Sequence, residues 1–175
     1  SQLVRTALIA PEGYTFSVAD FSAIEARVIS WLANEKWRMD VFHGDGKIYE
    51  ATGSKMFGVP ISAITKGSVL RDKSKISELA LGYGGSLGAL KRMGGERMGL
   101  ADSEMMDLVR KWRTANPRIV EMWSELEKAA HEAVKYQRPV KCTCRNIIFD
   151  CDGEYLTVRL PSSRQLFYVL SLIHI

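Results

Sequence analysis

The sequence has few of the residues that stabilise secreted proteins or hold transition metals. Its 175 residues include only three cysteines and three histidines. Cys142, Cys144 and Cys151 lack the Cys-x-x-Cys spacing that is usual in zinc sites, so we expect free thiols in a reducing compartment. No signal peptide is visible, and no apolar run reaches the roughly 18 residues of a membrane span. These absences favour a cytoplasmic protein with no membrane partner.

What is present is typical of a globular chain. Hydrophobic residues make up 46% of the sequence, which is enough for one or two small cores. The formal net charge of +4 permits a polyanionic partner without requiring one.

Apolar periodicity predicts helices separated by glycine and proline signals, with strands at both ends. The predicted helices are Ser22–Ala33, Ile48–Met56, Ser68–Leu81, Asp102–Thr114 and Pro117–Tyr136. The predicted strands are Arg5–Ala10, Tyr14–Asp20, Val140–Phe149 and Tyr155–Leu160, the last two forming a β-hairpin that turns at Asp152-Gly153. A polar turn and an edge strand should follow. Residues 170–175 match what a common sequencing adapter encodes in one reading frame, and we interpret them as an artefact.

The most informative stretch surrounds Asp20. Alternation from Tyr14 predicts that a half-buried strand ends at this carboxylate. Ser22 and Glu25 have the spacing of a helix-capping box, and the helix that follows should bury Ile24, Val28, Trp31 and Leu32. A carboxylate held between a strand and a helix N-terminus is suited to a hard cation and its phosphate ligand.

A second group of candidate residues lies on the predicted Ser68–Leu81 helix. Arg71 and Lys75 are one turn apart, while Val69, Ile76, Ala80 and Tyr83 should share another face. Two such cations can bind a triphosphate, the arginine as a planar fork and the lysine as a point charge. Taken alone, the pair is more typical of a solvated basic surface.

Together these stretches resemble family A DNA polymerases of the DNA polymerase I type, especially the bacteriophage branch. Asp20-Phe-Ser-Ala-Ile-Glu-Ala-Arg27 resembles the family's first palm motif. Arg71-Asp-Lys-Ser-Lys75, followed by Leu79 and Tyr83-Gly84, resembles its fingers-helix motif. Lys47-Ile-Tyr-Glu-Ala-Thr, Met56-Phe-Gly-Val-Pro60 and Leu160-Pro-Ser-Ser-Arg164 are also similar. The resemblance extends to about Tyr168.

The resemblance implies two catalytic Mg²⁺ ions, which Mn²⁺ could replace, and a set of residues that bind the incoming dNTP. Asp20 would bind both ions, and the Phe21 backbone carbonyl one of them. Arg71 and Lys75 would bind the triphosphate, Lys75 as a catalytic residue. Tyr49 lies where the family has a phosphate-contacting side chain.

Further positions follow from the same resemblance. Glu25 would exclude a ribose 2′-hydroxyl, and Ser22 would belong to the nucleotide site. Leu79 stands where many members have Phe or Tyr against the sugar, so we expect altered sugar discrimination. Tyr83 and Gly84 would contact the DNA template, although Tyr83 taken alone is more typical of a core aromatic at a helix end.

The implied fold is mixed α/β of the α+β type, in which a largely helical fingers region interrupts an antiparallel palm sheet. We expect palm at residues 1–35, fingers at 36–136 and a truncated palm hairpin at 137–169. The family's His-Asp-Glu motif, thumb and exonuclease domain do not occur in the sequence, so we expect the fragment alone not to polymerise. Primer-template DNA, dNTPs and replisome proteins are the expected partners, in a bacterial or phage-infected cell.

Two alternatives remain open at this stage. A single-subunit RNA polymerase has a similar layout, but it must admit the 2′-hydroxyl that Glu25 would exclude. A non-catalytic remnant that only binds nucleic acid is less compatible with the retained Asp20, Arg71, Lys75 and Tyr83.

Overall fold

The computed structural model describes residues 6–169, which form helices followed by a sheet. In chain order the α-helices are α1 (Ile24–Ala33), α2 (Lys36–His43), α3 (Ile48–Phe57), α4 (Val69–Leu81), α5 (Leu87–Arg92), α6 (Asp102–Ala115) and α7 (Pro117–Tyr136). The strands β1 (Val140–Lys141), β2 (Ile148–Cys151), β3 (Tyr155–Arg159) and β4 (Gln165–Val169) form one antiparallel sheet in sequential order. This confirms the predicted α+β class. Across the described range, no helix is long and apolar enough to cross a membrane.

Two apolar clusters hold these elements together. The first lies among the helices, and its fully buried members include Leu81, Leu90, Met105, Trp112 and Ile119. The second lies between α7 and the sheet, where Ala133 packs with Phe149, Leu156 and Val158. Leu32 and Leu126 contact both clusters, so α1 and α7 join the helical part to the sheet.

The long amphipathic helices were predicted correctly to within one or two residues at their ends. At the start of α4, the Ser68 hydroxyl accepts a hydrogen bond from the Arg71 N–H over 3.3 Å, as a helix N-cap does. Pro117 occupies the first turn of α7, where its missing N–H has no cost.

The predicted N-terminal strand pair is wrong within the described residues, although Arg5 lies outside them. The segment from 8 to 20 belongs to no strand, and Val18 is 91% exposed. Tyr14 N–H instead closes a turn onto the Pro11 carbonyl over 3.0 Å. Alternation predicts a strand only when a neighbouring strand can pair with its backbone, and the four-stranded sheet does not extend to this segment.

The start of α1 also differs from the prediction. The helix begins at Ile24 after Ala23, whose φ of 50° is left-handed, and no side chain caps it. Ser22 is therefore not the N-cap, and the proposed capping box with Glu25 does not form. The Ser22 carbonyl accepts a hydrogen bond from Arg27 Nε over 3.0 Å instead.

The face that α1 buries differs from the predicted one. Ile24, Val28 and Trp31 are exposed, and only Leu32 of the predicted stripe is half-buried. The buried residues of the helix are Ser30 and Ala33. The small Ser30 faces inward because its hydroxyl accepts a hydrogen bond from a buried arginine, Arg38, over 2.7 Å.

The C-terminal hairpin is confirmed in part. Asp152 Oδ1 accepts hydrogen bonds from the Glu154 and Tyr155 N–H groups, and Gly153 has a φ of 93°, so the turn lies where Asp-Gly predicts it. The predicted strand Val140–Phe149 is wrong as a single strand. It folds back on itself, pairing Val140 with Phe149, and Cys142 N–H closes the turn onto the Ile147 carbonyl over 2.8 Å. The predicted edge strand is β4, and the interpretation of residues 170–175 concerns residues outside the described range.

The cysteines are free thiols in the structure, and one has a strongly altered pKa. Burial, followed by the influence of Cys144, raises the pKa of Cys142 from 9.0 to about 12. The folded state therefore keeps this proton longer than the unfolded state. The resulting contribution to stability is complete below about pH 9 and is lost as the pH rises towards 12.

We expect Cys142 to resist alkylation in the folded protein at pH 8, because the thiolate is the reactive species. The measurement is iodoacetamide labelling followed by peptide mass spectrometry, with the protein in urea as the control. Equal labelling of Cys142 in the folded and unfolded protein would contradict this expectation.

Candidate active site

Helix α4 presents the residues predicted to bind a nucleotide. Its inward side is formed by Ser74, Ser77, Glu78 and Leu81, at helical spacing. Lys75 is exposed, Leu79 is 41% exposed and Tyr83 is 73% exposed. The predicted apolar face is thus confirmed for Ala80 and Ile76, which belong to or pack against the first apolar cluster, and wrong for Val69 and Tyr83, which are exposed. A carboxylate, Glu78, also lies on the buried side.

Arg71 lies between two side chains of α3. Its Nε donates to Glu50 Oε1 over 2.6 Å, and the two side chains are only 19% and 16% exposed. The guanidinium carbon lies 5.7 Å from the centre of the Tyr49 ring, which is within the range of a cation–π contact. The structure therefore brings Arg71 together with Tyr49, which the resemblance assigned to the nucleotide site, and with Glu50, which was not among the predicted site residues.

The Tyr49 phenol is half-buried, and its surroundings alter its pKa. Burial raises the pKa of its phenol, and so do the negative charges of Glu78, Glu25 and Glu50, while Arg71 opposes the shift. A phenol is protonated at neutral pH, and the raised pKa extends that range upwards, so Tyr49 can donate a hydrogen bond to an anionic oxygen.

A glycine allows α3 and α4 to pack closely enough for these contacts. A Cβ at Gly53 would lie 2.5 Å from Ser74 Oγ and 3.2 Å from Ile64 Cγ2. The Ser74 hydroxyl is itself fixed by donating to the Leu70 carbonyl over 2.7 Å. Any larger residue at position 53 would have to separate the two helices, and with them Glu50 and Arg71.

Beneath α4 lies a buried ion pair. Arg38 Nη1 and Nη2 donate to the two oxygens of Glu78 over 2.8 and 2.5 Å, and the side chains are 1% and 2% exposed. Such a two-point contact is the strongest geometry available to arginine and carboxylate.

Four further residues complete the hydrogen bonding of this pair. Thr52 Oγ1 and Trp112 Nε1 donate to Glu78 over 2.7 and 2.9 Å. Arg38 also donates from Nη1 to Asn116 over 2.9 Å and from Nε to Ser30. We call this set the Arg38–Glu78 cluster; its members are Ser30, Arg38, Thr52, Glu78, Trp112 and Asn116. It connects α1, α2, α3, α4 and the junction of α6 with α7.

The Arg38–Glu78 cluster was not predicted from the sequence. Charged residues are normally exposed, and Arg38 and Glu78 are 40 positions apart, so no local pattern joins them. One local signal was available. Glu78 lies beside the small residues Ser77 and Ala80, and small residues on one side of a helix indicate that this side packs closely against a neighbour.

The predicted metal ligands lie together in an exposed segment. Asp20 and Phe21 directly precede α1, and both are solvent-exposed. Within residues 6–169, no group of three or more His, Cys, Asp or Glu side chains could hold a metal ion. One carboxylate and an adjacent carbonyl fit a Mg²⁺ ion that takes its other ligands from phosphate and water, but they do not form an enclosed site for two ions.

The predicted template residues follow the end of α4. Tyr83 is exposed, and Gly84 has a φ of 75° in a turn where its N–H donates to the Leu81 carbonyl over 3.1 Å. A left-handed residue here suits glycine and directs the chain away from the helix. The aromatic ring is therefore available for stacking and is not a core residue.

Two cavities lie away from these residues. One of about 880 Å³ lies between α2, α3 and α6 and is lined by Trp37, Lys55 and Lys111 among others. The other, of about 480 Å³, lies beside Asn34, Met122 and Cys144. Neither contains a residue that the sequence analysis assigned to the site.

Comparison with known proteins agrees with the motifs. The family model for DNA polymerase family A matches residues 1–148. The DNA polymerase of Bacillus phage SP02 is 56% identical over 168 residues, which cover 96% of this chain and 26% of that protein. DNA polymerase I of Pseudomonas aeruginosa is 36% identical over 95 residues, covering 54% of this chain and 10% of that protein. The thermostable DNA polymerase I of Thermus aquaticus is 35% identical over 83 residues, covering 47% of this chain and 10% of that protein.

The chain thus spans about a quarter of the phage relative and a tenth of the two bacterial ones. The family match covers most of the chain, including the Asp20 and Arg71 motifs. The chain therefore belongs to DNA polymerase family A.

Proposed function

We propose that this chain is the palm–fingers part of a template-directed DNA polymerase that transfers a deoxynucleotide from a dNTP to a primer 3′-hydroxyl. The observation that carries the proposal is the arrangement of Arg71, Tyr49 and Lys75 on two closely packed helices, in a chain of this family. In the reaction, the 3′-oxygen forms a bond to the α-phosphorus. The bond from that phosphorus to the bridging oxygen breaks, and pyrophosphate leaves.

The triphosphate is the group that these helices are best equipped to bind. Arg71 offers a planar fork and Lys75 a mobile point charge one turn further along α4. Tyr49 adds a protonated phenol that can donate to a phosphate oxygen. Phosphoryl transfer depends mainly on alignment and charge stabilisation, so Lys75 acts as a catalytic residue by stabilising charge on the departing phosphates.

Asp20 and the Phe21 carbonyl hold Mg²⁺ in this proposal, with Mn²⁺ as a possible replacement. Ions held there would supply charge stabilisation at the attacking 3′-oxygen and at the departing pyrophosphate. A site for two ions requires acidic ligands beyond Asp20, and the described residues contain no cluster of three or more potential ligands. We therefore propose that the chain alone does not polymerise.

The remaining residues select the substrate. Glu25 excludes the ribose 2′-hydroxyl, and Ser22 lies next to it at the start of α1. Leu79 and Tyr83 face outward from α4, where Leu79 contacts the incoming sugar and Tyr83 stacks near the template base, with Gly84 at the turn. Primer-template DNA is the macromolecular partner. Replisome proteins and the cytoplasm of a bacterial or phage-infected cell are the expected surroundings.

The test is a chimera in which residues 1–169 of this chain replace the homologous segment of the Bacillus phage SP02 DNA polymerase. We expect Mg²⁺-dependent extension of a primed template, with dNTPs preferred over rNTPs by at least about 10²-fold. Primer extension on gels measures both rates. The unmodified SP02 polymerase is the control for assembly of the remaining parts.

Two results would reject the proposal. Equal incorporation of dNTPs and rNTPs would identify an enzyme of the RNA polymerase type. DNA binding without extension, in a chimera that folds, would identify a nucleic-acid-binding remnant.

A further inference from the structure

We propose that Glu50 is a positioning residue that fixes the Arg71 guanidinium for binding the nucleotide triphosphate. The inference rests on the proposed function of Arg71 and adds a residue to it. The carboxylate accepts from Arg71 Nε over 2.6 Å, and both side chains are largely shielded from water. A charged hydrogen bond this short fixes the plane of the guanidinium group.

The contact leaves the terminal nitrogens of Arg71 available. Nε is the only nitrogen of this side chain with a hydrogen bond in the described structure, so Nη1 and Nη2 have no protein partner there. Arginine binds phosphate with two parallel N–H groups, and these two nitrogens form one such edge. Glu50 therefore binds the Nε side of the guanidinium group and leaves the edge formed by Nη1 and Nη2 for the triphosphate.

The carboxylate that holds Arg71 is itself held rigidly. Glu50 lies in the first turn of α3, and Gly53 brings this helix close to Ser74 of α4. The Tyr49 ring lies 5.7 Å from the guanidinium carbon of Arg71, so it limits movement of the guanidinium group towards the ring. An arginine that is ordered before binding loses less conformational entropy when the ligand arrives.

A competing role for Glu50 makes the opposite prediction. A carboxylate that blocked the site would bind Nη1 and Nη2 of Arg71. Removing such a carboxylate would strengthen triphosphate binding. The observed contact through Nε alone favours positioning. A purely structural role would change the free energy of unfolding without changing the affinity of the folded protein.

The experiment measures binding of dATP with Mg²⁺ to the 175-residue chain by isothermal titration calorimetry. Glu50→Ala should weaken binding about fivefold to tenfold, which corresponds to about 1.0–1.4 kcal/mol in binding free energy. Glu50→Gln keeps the acceptor oxygen and should restore the affinity to within about threefold of the unsubstituted chain. The double variant Glu50→Ala/Arg71→Ala should bind no more weakly than Arg71→Ala, because Glu50 acts through Arg71.

Glu104→Ala is the matched control. It removes a carboxylate that pairs with Lys73, another cation of α4, over 3.5 Å, and it should leave the dATP affinity unchanged. Circular dichroism and urea unfolding of every variant establish that the folded protein is being measured.

The outcomes separate the two proposals. If Arg71→Ala weakens binding but Glu50→Ala leaves it unchanged or strengthens it, the positioning role is overturned and the nucleotide site stands. If Arg71→Ala has no effect, or the unsubstituted chain does not bind dATP, the triphosphate assignment fails and the role of Glu50 fails with it.

Discussion

Replacing Arg38 by methionine is expected to lower the free energy of unfolding by about 3–5 kcal/mol, the cost of removing one partner of a buried ion pair. Arg38 is fully buried and donates to Glu78, Asn116 and Ser30. Without it, the Glu78 carboxylate remains buried, and within residues 6–169 its remaining donors are Thr52 and Trp112. Urea unfolding followed by circular dichroism measures the change.

Two further variants control this experiment. Arg118→Met removes an exposed arginine paired with Glu121 over 2.7 Å, and it should cost no more than about 1 kcal/mol. The double variant Arg38→Met/Glu78→Leu removes both charges and should recover part of the lost stability, because an apolar pair requires no desolvation of charge. A loss below 1 kcal/mol for Arg38→Met would show that the pair is not buried in solution.

The Arg38–Glu78 cluster also explains how the site is assembled. A buried carboxylate must face its partners, so Glu78 fixes the rotation of α4 about its own axis. With Glu78 inward, its neighbour Leu79 faces outward, and Lys75 one turn earlier is exposed. Thr52 ties the same carboxylate to α3, which carries Tyr49 and Glu50. The position of the candidate nucleotide residues therefore depends on a polar contact beneath them.

The five longer helices of the described structure could be predicted from the sequence because their signals are local, whereas the shorter α2 and α5 were not predicted. Helix α7 combines Pro117 at its start with a long apolar stripe, and both features depend only on neighbouring residues. The N-terminal strand was predicted by the same kind of local pattern and is wrong, since alternation does not specify a pairing partner. The split of Val140–Phe149 was missed for a related reason. Cys142 to Ile147 form a turn without the glycine or proline that usually marks one.

The sequence pattern could predict that two candidate site residues are close in space only where both lie on one helix. Arg71 and Lys75 are one turn apart, so their proximity follows from helix geometry. The contact between Glu50 and Arg71 spans 21 positions and depends on the packing of α3 against α4 at Gly53. No helical or strand periodicity in the sequence predicts a contact between residues so far apart along the chain. The resemblance to a known family identified Tyr49 but gave no reason to select its neighbour Glu50.

Asp20 carries the second large expected effect. In the chimera with the SP02 polymerase, Asp20→Ala should reduce primer extension by at least about 10³-fold, which corresponds to about 4 kcal/mol in the activation free energy. Hard cations are bound by carboxylate oxygens, and Asp20 is the carboxylate that directly precedes α1. Asp20→Asn should lose nearly as much activity, because the amide keeps the size of the side chain but not its charge. DNA binding, followed by fluorescence anisotropy, should change little in either variant.

The matched control for this prediction is Glu12→Ala. Glu12 is another exposed carboxylate of the same N-terminal segment and should be dispensable for extension. Because Asp20 is exposed and belongs to no helix or strand, its substitution should leave the stability of the fold nearly unchanged. A large loss of activity at constant stability would thus identify a chemical role. Extension by Asp20→Ala within tenfold of the parent chimera would instead remove Asp20 from the metal site, while leaving Arg71 and Lys75 as independent candidates for binding the triphosphate.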